Sequence, residues 1–383
     1  MLTYFPKPYP DEVLYSVLAR LWRHLGQPDM RDFMTQLFKL PYATPVFDMP
    51  GNLEVLATQI PERAGLTADR IIDELTLFPY FAAFESASGR ERLRERMRCA
   101  HVQKHNRHSG MLAFSTGRMV QLKYCDECRK EMLTQFGELY WKREHLLPGV
   151  VVCPTHGTSL RMYRAPMRER YFHPASAELC PADKSPLVPE RLWHELPRLH
   201  RISLRSKALL AGDGAPIAQE LSAHYVSRLA ETLGSPGKLD RTRAADLITR
   251  SLGPFFEMLR SPLSGRAGSS HWVQVVLRKY RPAVHPLYYV LLDQFMADYP
   301  DRAVFGDGPW ECPNPIHRND EVPPIKHVSV HRNGKRICGI FACRCGRTYQ
   351  RIFDVGRDHM EPPVLISVVK KPADPEGELP LAT

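Results

Sequence analysis

Two short-spaced pairs, Cys125-Asp-Glu-Cys128 and Cys153-Pro-Thr-His156, stand 24 residues apart and restrict this chain more than any other feature. Each pair can present two ligands from one tight turn, and the intervening loop lets the turns face each other. Three thiolates and one imidazole at about 2.0–2.3 Å complete the tetrahedral shell of a zinc ion. Such a shell keeps no water position, so the expected role is a folding staple rather than a catalyst. Unrelated turn cysteines would leave the spacing a coincidence. A redox-active Cys-x-x-Cys would leave Cys153 and His156 unexplained.

A less regular cluster follows towards the C-terminus. Cys312-Pro-Asn-Pro-Ile-His317 precedes Cys343-Arg-Cys345-Gly346 by 25 residues, and Cys312, His317, Cys343 and Cys345 are read as a second zinc site. Cys338 competes for a place. On an alternating strand it has the opposite parity to Cys343 and Cys345, so it is expected to face away. Buried free cysteines are the alternative. Cys99 and Cys180 have no partners at ligand spacing and are expected to pack.

Composition narrows the class. The 383 residues are 43% hydrophobic, enough for two to four folded units. Basic residues exceed acidic ones by ten, which favours polyanionic partners through counterion release. An ordinary basic protein fits the same number. No run of about 18 apolar residues announces a membrane helix, and the first ten residues lack a signal-peptide core. A cytoplasmic location and no membrane partner are therefore expected. There disulfides rarely persist, and nine cysteines point to metal.

Periodicity predicts a mainly α, multi-domain fold, with helix-turn-helix-like domains, two small zinc modules and a short C-terminal β-hairpin or ribbon. The expected divisions are an N-terminal helical domain (1–120), a first zinc module (121–165), a helical middle region (166–235), a helix-turn-helix-like domain (236–300), a second zinc ribbon (301–356) and a tail (357–383). Asp11 is read as the cap of a helix carrying Val13, Leu14, Val17, Leu18 and Leu21. Further helices are expected over 31–40, 52–60, 67–75, 192–210, 217–233, 240–252 and, apart from Pro282 and Pro286, 269–297, with Pro79 a breaker. Strands are expected over 327–349, with Asn333-Gly334 as the turn.

The basic stretches allow two readings. Arg90 to Arg98 alternates charge and suits either a solvated face or a phosphate-facing one. Arg278-Lys279-Tyr280-Arg281 ends an amphipathic stretch, with Arg241, Arg243 and Arg250 on the preceding one. Two helices, the second carrying exposed basic residues, outline a major-groove reader, although composition alone equally permits a solvated face. An enzyme is the rival class. His194-Glu195 lacks the second histidine of a zincin, because position 198 is Arg198. No P-loop or G-x-S-x-G occurs, and Asp11, Glu12, Asp73 and Glu74 have no nuclease-like spacing. A zinc-dependent nuclease or peptidase is the alternative of that class, and an interaction scaffold is a third.

Several segments together resemble the TniQ/TnsD family of transposon target-selection proteins. They are Pro6-x-Pro8-Tyr9-Pro10-Asp11-Glu12 with Tyr15-Ser16 and Arg20, Thr76-Leu77-Phe78-Pro79, and Tyr124-Cys125-x2-Cys128 running through Tyr140-Trp141 and Leu147-Pro148-Gly149 to Cys153-Pro154-x-His156-Gly157. Trp272 with Arg278-Lys279-Tyr280-Arg281 and His285-Pro286-Leu287 is similar to a TnsD segment. So are Gly308-Pro309-Trp310-x-Cys312-x-Asn314-Pro315 and Phe341-x-Cys343-x-Cys345-Gly346. The resemblance implies a non-enzymatic protein that binds double-stranded target DNA, or joins a guide-RNA CRISPR effector complex, and recruits the AAA+ ATPase TnsC and through it the transposase. It implies zinc, two ions, as the cofactor. It makes Tyr9, Asp11, Glu12 and Tyr15 candidates for the TnsC-facing surface, and Arg241, Arg243, Arg278, Lys279 and Arg281 candidates for DNA. Some TnsD proteins carry additional C-terminal helical segments, so a shorter target reading is expected here. His317 stands where a cysteine is often found.

Overall fold

The computed structural model describes residues 2–26, 28–40, 46–99, 119–166, 172–176, 179–213, 221–234, 236–253, 271–278 and 284–368. The chain forms two compact units, residues 1–245 with 255–294, and residues 246–254 with 295–383.

Helices build the first unit. Helix α1 (Leu14–Leu25) buries every residue from Leu14 to Leu21, so it is surrounded rather than merely amphipathic. Its N-cap is Val13, with no side-chain bond. Asp11 therefore does not cap it. At φ 57° Asp11 turns away from the helix, and its carboxylate accepts the Glu144 N–H at 3.0 Å and the Arg143 guanidinium at 3.1 Å. Helices α2 (Met30–Phe38), α3 (Leu53–Gln59) and α4 (Ala68–Leu75) follow within two residues of the expected bounds. Thr67 caps α4 by accepting the Arg70 N–H at 3.2 Å. Pro79 does not break a helix. It sits in the first turn of the short α5 (Phe78–Phe81), where no N–H is needed. Helix α6 (Ala87–Cys99) carries the Arg/Glu run.

Strand β1 (Met119–Tyr124) pairs antiparallel with β2 (Arg161–Pro166), and between them lie α7 (Asp126–Phe136) and α8 (Arg143–Leu146). Next come α9 (Leu196–Leu210), α10 (Leu221–Thr232), α11 (Arg241–Leu252), α12 (His271–Val276) and α13 (Pro286–Ala303). The stretch 269–297, expected to be helical apart from Pro282 and Pro286, holds two helices, with Pro286 opening the second. The core of this unit holds Phe33, Phe78, Tyr80, Phe84, Trp141 and Tyr225, each under 2% exposed. Among the described residues no helix is long and apolar enough to cross a membrane.

The second unit contains a five-stranded antiparallel sheet of β3 (Val328–Asn333), β4 (Arg336–Ala342), β5 (Arg347–Asp354), β6 (His359–Met360) and β7 (Val364–Val368), ordered β3-β4-β5 with β6 and β7 both on β5. It is larger than the expected hairpin. Its last two strands lie in 357–383, the segment expected as a tail. The turn after β3 is also one residue on, with Gly334-Lys335 joining the paired Asn333 and Arg336. Gly334 at φ 60° supplies the positive dihedral that a two-residue hairpin loop requires. One face of the sheet packs Val328, Ile337, Phe341 and Tyr349 against Phe305 and Ile325.

Candidate metal centres

At the first cluster, Cys125 is the N-cap residue of α7 and Cys128 lies on that helix's first turn. The first pair therefore opens a helix instead of closing a free turn. Cys153 and His156 come from a tight turn closed by the Gly157 N–H on the Cys153 carbonyl at 2.9 Å. The four donor atoms lie within 4.8 Å of one another. Tetrahedral zinc with ordinary bond lengths needs about 3.8 Å between sulfurs and about 3.6 Å from sulfur to nitrogen. Cys128 Sγ is 3.8 Å from Cys153 Sγ, and His156 Nδ1 is 3.6, 3.4 and 3.6 Å from the sulfurs of Cys125, Cys128 and Cys153. The residues fit the ion. The three thiols are at most 3% exposed, and the Cys128 and Cys153 thiols donating to Cys125 hold it far below its usual range. His156 Nε2 meets Glu131 Oε1 at 3.0 Å, the carboxylate–histidine contact that fixes a ligating ring.

The N-terminal segment is tied to this cluster. Glu138, just beyond α7, accepts Tyr9 Oη at 2.8 Å, Arg20 Nε at 3.0 Å and Arg23 Nη2 at 2.6 Å. Burial raises the Glu138 carboxyl, but the Tyr9 hydrogen bond and the charges of Arg20 and Arg23 hold it below the usual range. Glu12 is fully buried, paired with Arg20 at 2.8 Å and accepting Ser16 Oγ at 2.8 Å and the Tyr9 N–H at 2.9 Å. Burial outweighs those contacts and pushes its carboxyl up to about 7. Tyr15 is 2% exposed and its hydroxyl accepts the His173 N–H at 2.9 Å. The four residues read as partner contacts thus have bonds inside the protein.

Other elements brace the same cluster. Glu144 lies between Lys142, to which it is bonded, and Lys207 of α9 at 2.8 Å. Burial raises its carboxyl, yet those cations pull it down to about 2. His200 Nε2 donates to the Pro154 carbonyl at 2.9 Å, on the Cys153 turn. Lys123 donates to the carbonyls of Leu147 and Val150 at 2.7 Å each, and burial lowers its ammonium to about 7. Gly149 at φ 76° closes against Leu287, where an added Cβ would come within 2.5 Å of a methyl group.

The second cluster is built from shorter-range parts. Cys312 and His317 flank the Asn314 turn, and Cys343 and Cys345 lie on the turn between β4 and β5, closed by the Gly346 N–H on the Cys343 carbonyl at 3.0 Å. The four donors again lie within 4.8 Å of one another, with Cys312 and Cys345 sulfurs at 3.9 Å and Cys343 Sγ at 3.2 Å from His317 Nε2. His317 thus presents Nε2 where His156 presents Nδ1. Asp320 holds the other ring nitrogen at 2.7 Å and is itself paired with Arg344 at 2.8 Å. Asn314 Nδ2 donates to Cys345 Sγ at 3.3 Å. Cys338 lies within β4 outside the cluster, its sulfur accepting Gln350 Nε2 at 2.9 Å.

Other candidates fall apart as sites. Asp11, Glu12, Asp73 and Glu74 pair with Arg143, Arg20, Arg94 and Arg70 respectively, so no carboxylate cluster forms. Arg94 and Arg98 of α6 bond Asp69, which neutralises part of the run read as phosphate-facing. Cys180 is buried, but Cys99 is exposed at the end of α6 rather than packed. Arg241 and Arg243 are exposed on the first turn of α11, where Asp240 accepts the Thr242 and Arg243 N–H groups at 3.0 Å. Arg278 is exposed just beyond α12. Lys279, Arg281 and the link 254–270 lie outside the described residues. Sequence reasoning missed His145, Glu138 and Glu144. Glu138 and Glu144 sit between motif residues, and no local spacing marked them.

A helical protein with a C-terminal sheet and two closed Cys/His donor sets defines the class. The family follows from comparison with known sequences. The sequence model of TniQ matches residues 3–160, and that of Tn7-like transposition protein D matches residues 204–362. The chain belongs to the TniQ/TnsD family. It is similar to transposon Tn7 transposition protein TnsD of Escherichia coli, 26% identical over 304 residues, which are 76% of this chain and 57% of that protein. The chain thus spans little more than half the length of that relative.

Proposed function

We propose that the protein selects the target site of a transposon. It binds attachment-site DNA sequence-specifically and recruits the AAA+ regulator TnsC and the transposase. Two zinc ions, one in each cluster, serve as folding staples with no chemistry of their own. The observation that carries this reading is the pair of four-donor clusters, one inside each family match and each complete without a water position. Closed donor sets and dispersed, paired carboxylates weigh against a zinc-dependent nuclease or peptidase.

Arg241, Arg243 and Arg278, with Lys279 and Arg281, form the proposed DNA-facing set; the net charge of +10 suits a phosphate backbone. The segment carrying Tyr9, Asp11, Glu12 and Tyr15 is the proposed TnsC-facing surface. Because those side chains bond internally, their part is to keep that surface in shape. The test is binding of the zinc-loaded protein to a genomic fragment library at two salt concentrations, with the bound fragments sequenced. Enrichment of one narrow family of sites is expected. Salt-sensitive binding without enrichment would overturn direct reading and favour an adaptor for a guide-RNA CRISPR effector. Arg278→Ala with Lys279→Ala should reduce the salt slope by up to roughly 2; an unchanged slope removes that segment from the interface.

A further inference from the structure

His145 belongs to neither ligand set, yet its Nε2 lies 3.5 Å from Cys153 Sγ and 3.8 Å from Cys128 Sγ. It is not the fourth vertex, which His156 occupies by reaching all three sulfurs at 3.4–3.6 Å. His145 bridges two of them and so lies over the Cys128–Cys153 edge of the tetrahedron.

Three thiolates around a divalent zinc ion leave one net negative charge, and here that charge is interior. A buried charge is costly unless donors face it. Cys125 is served by Thr158 Oγ1 at 3.4 Å and by the Cys128 N–H, and Cys153 by the His156 N–H. Among the described residues, the one side chain outside the ligand set within hydrogen-bond reach of Cys128 Sγ is His145. The ring is placed by its neighbours in the chain. Asp11 holds the Glu144 N–H, and the Glu144 carboxylate is fastened by Lys142 and Lys207.

We propose that His145 donates its Nε2–H to the Cys128 and Cys153 thiolates, and thereby sets how tightly the first cluster holds its metal and how slowly electrophiles attack its sulfurs. The inference rests on the zinc reading above. An N–H bond withdraws charge from a thiolate and makes it a poorer nucleophile. It also fixes the thiolate's direction towards the metal, and loss of such a partner typically weakens binding about 10–100-fold.

The test compares the full-length zinc-loaded parent with His145→Leu, His145→Gln and His145→Asn. Metal content, zinc affinity by chelator competition, the rate of zinc release on adding N-ethylmaleimide, and the thiolate-to-metal absorption of the Co2+-loaded protein are measured. The expected result is two ions in every variant, with affinity about 10–100-fold weaker, faster release and a shifted cobalt band in His145→Leu. His145→Gln, whose amide nitrogen reaches about as far as Nε2, should restore most of this, and the shorter asparagine should not. If His145→Leu does not fold, the glutamine–asparagine contrast decides. Unchanged release and spectra, or equal behaviour of glutamine and asparagine, would overturn the role of His145. Loss of a whole ion in His145→Gln would make it a ligand instead. A parent whose metal content is unaffected by Cys125→Ser would overturn the zinc reading beneath it, separately from the inference.

Discussion

The two clusters gather the same donors, three cysteine sulfurs and a histidine nitrogen, in opposite surroundings. The first has all three cysteines in the interior and is braced by residues from distant parts of the chain: Glu138 by Tyr9, Arg20 and Arg23, and Glu144 by Lys207. The second leaves Cys312 and Cys345 partly exposed, and its supporting contacts come from Asn314, Asp320 and Arg344, close in sequence to its own ligands. A metal site is worth to a fold what depends on it. The first organises long-range packing, whereas the second fastens a sheet that already has its own apolar face.

The sharpest way to break this contrast is to remove one thiolate from each. Cys125→Ser should cost one zinc ion and unfold the packing around α1, α7 and α8, a large loss in melting temperature. Cys343→Ser should cost one ion while the first unit keeps its melting transition. Equal melting losses in the two variants would show that the clusters are equivalent. Metal removal extends the comparison: a chelator should take the half-exposed second ion before the buried first, followed by zinc release in the two serine variants.

Supporting carboxylates come next. Glu138→Ala should destabilise by about 1–3 kcal/mol, because the buried Arg20 guanidinium keeps Glu12 but loses its second carboxylate, and Tyr9 loses its acceptor. Asp320→Ala, on the more open cluster, should leave global stability nearly unchanged while weakening its zinc. Chemical denaturation of both variants checks the order, and a reversed order would sink the assignment of long-range bracing to the first cluster alone.

The smallest expected effect concerns pH. Glu12 is held at about 7 in the folded protein against an ordinary 4.5, so folding favours its protonated form. Its stabilising contribution is fully present below about 4.5 and is lost as pH rises through about 7. Glu12→Gln should flatten the stability profile across that window. A parent profile equally flat would show that Arg20 keeps Glu12 ionised throughout.

Both Cys/His clusters were legible in the sequence because each half is a short-range pair, and a turn of two to five residues fixes its own geometry. Helix positions were legible for the same reason, through spacing and caps such as Thr67. Asp11 was misread because its motif suits a helix cap, while the carboxylate bonds Arg143 and Glu144, 132 and 133 residues away. The C-terminal sheet outgrew its predicted hairpin because β7 owes its existence to pairing with β5, and its exposed Val364, Leu365 and Ile366 carry no inward-outward alternation to announce a strand.

What the sequence determined by itself was therefore local: which residues can hold metal, where helices begin, and that the chain is basic. Tertiary structure decided which carboxylates brace the first cluster, that Tyr9, Glu12 and Tyr15 bond inward, and that His145 lies over two thiolates. The physical reason is separation along the chain. A spacing of three residues constrains geometry through the backbone, whereas Tyr9 meets Glu138 across 129 residues only because folding brings both, half-buried, to one place where each needs a partner.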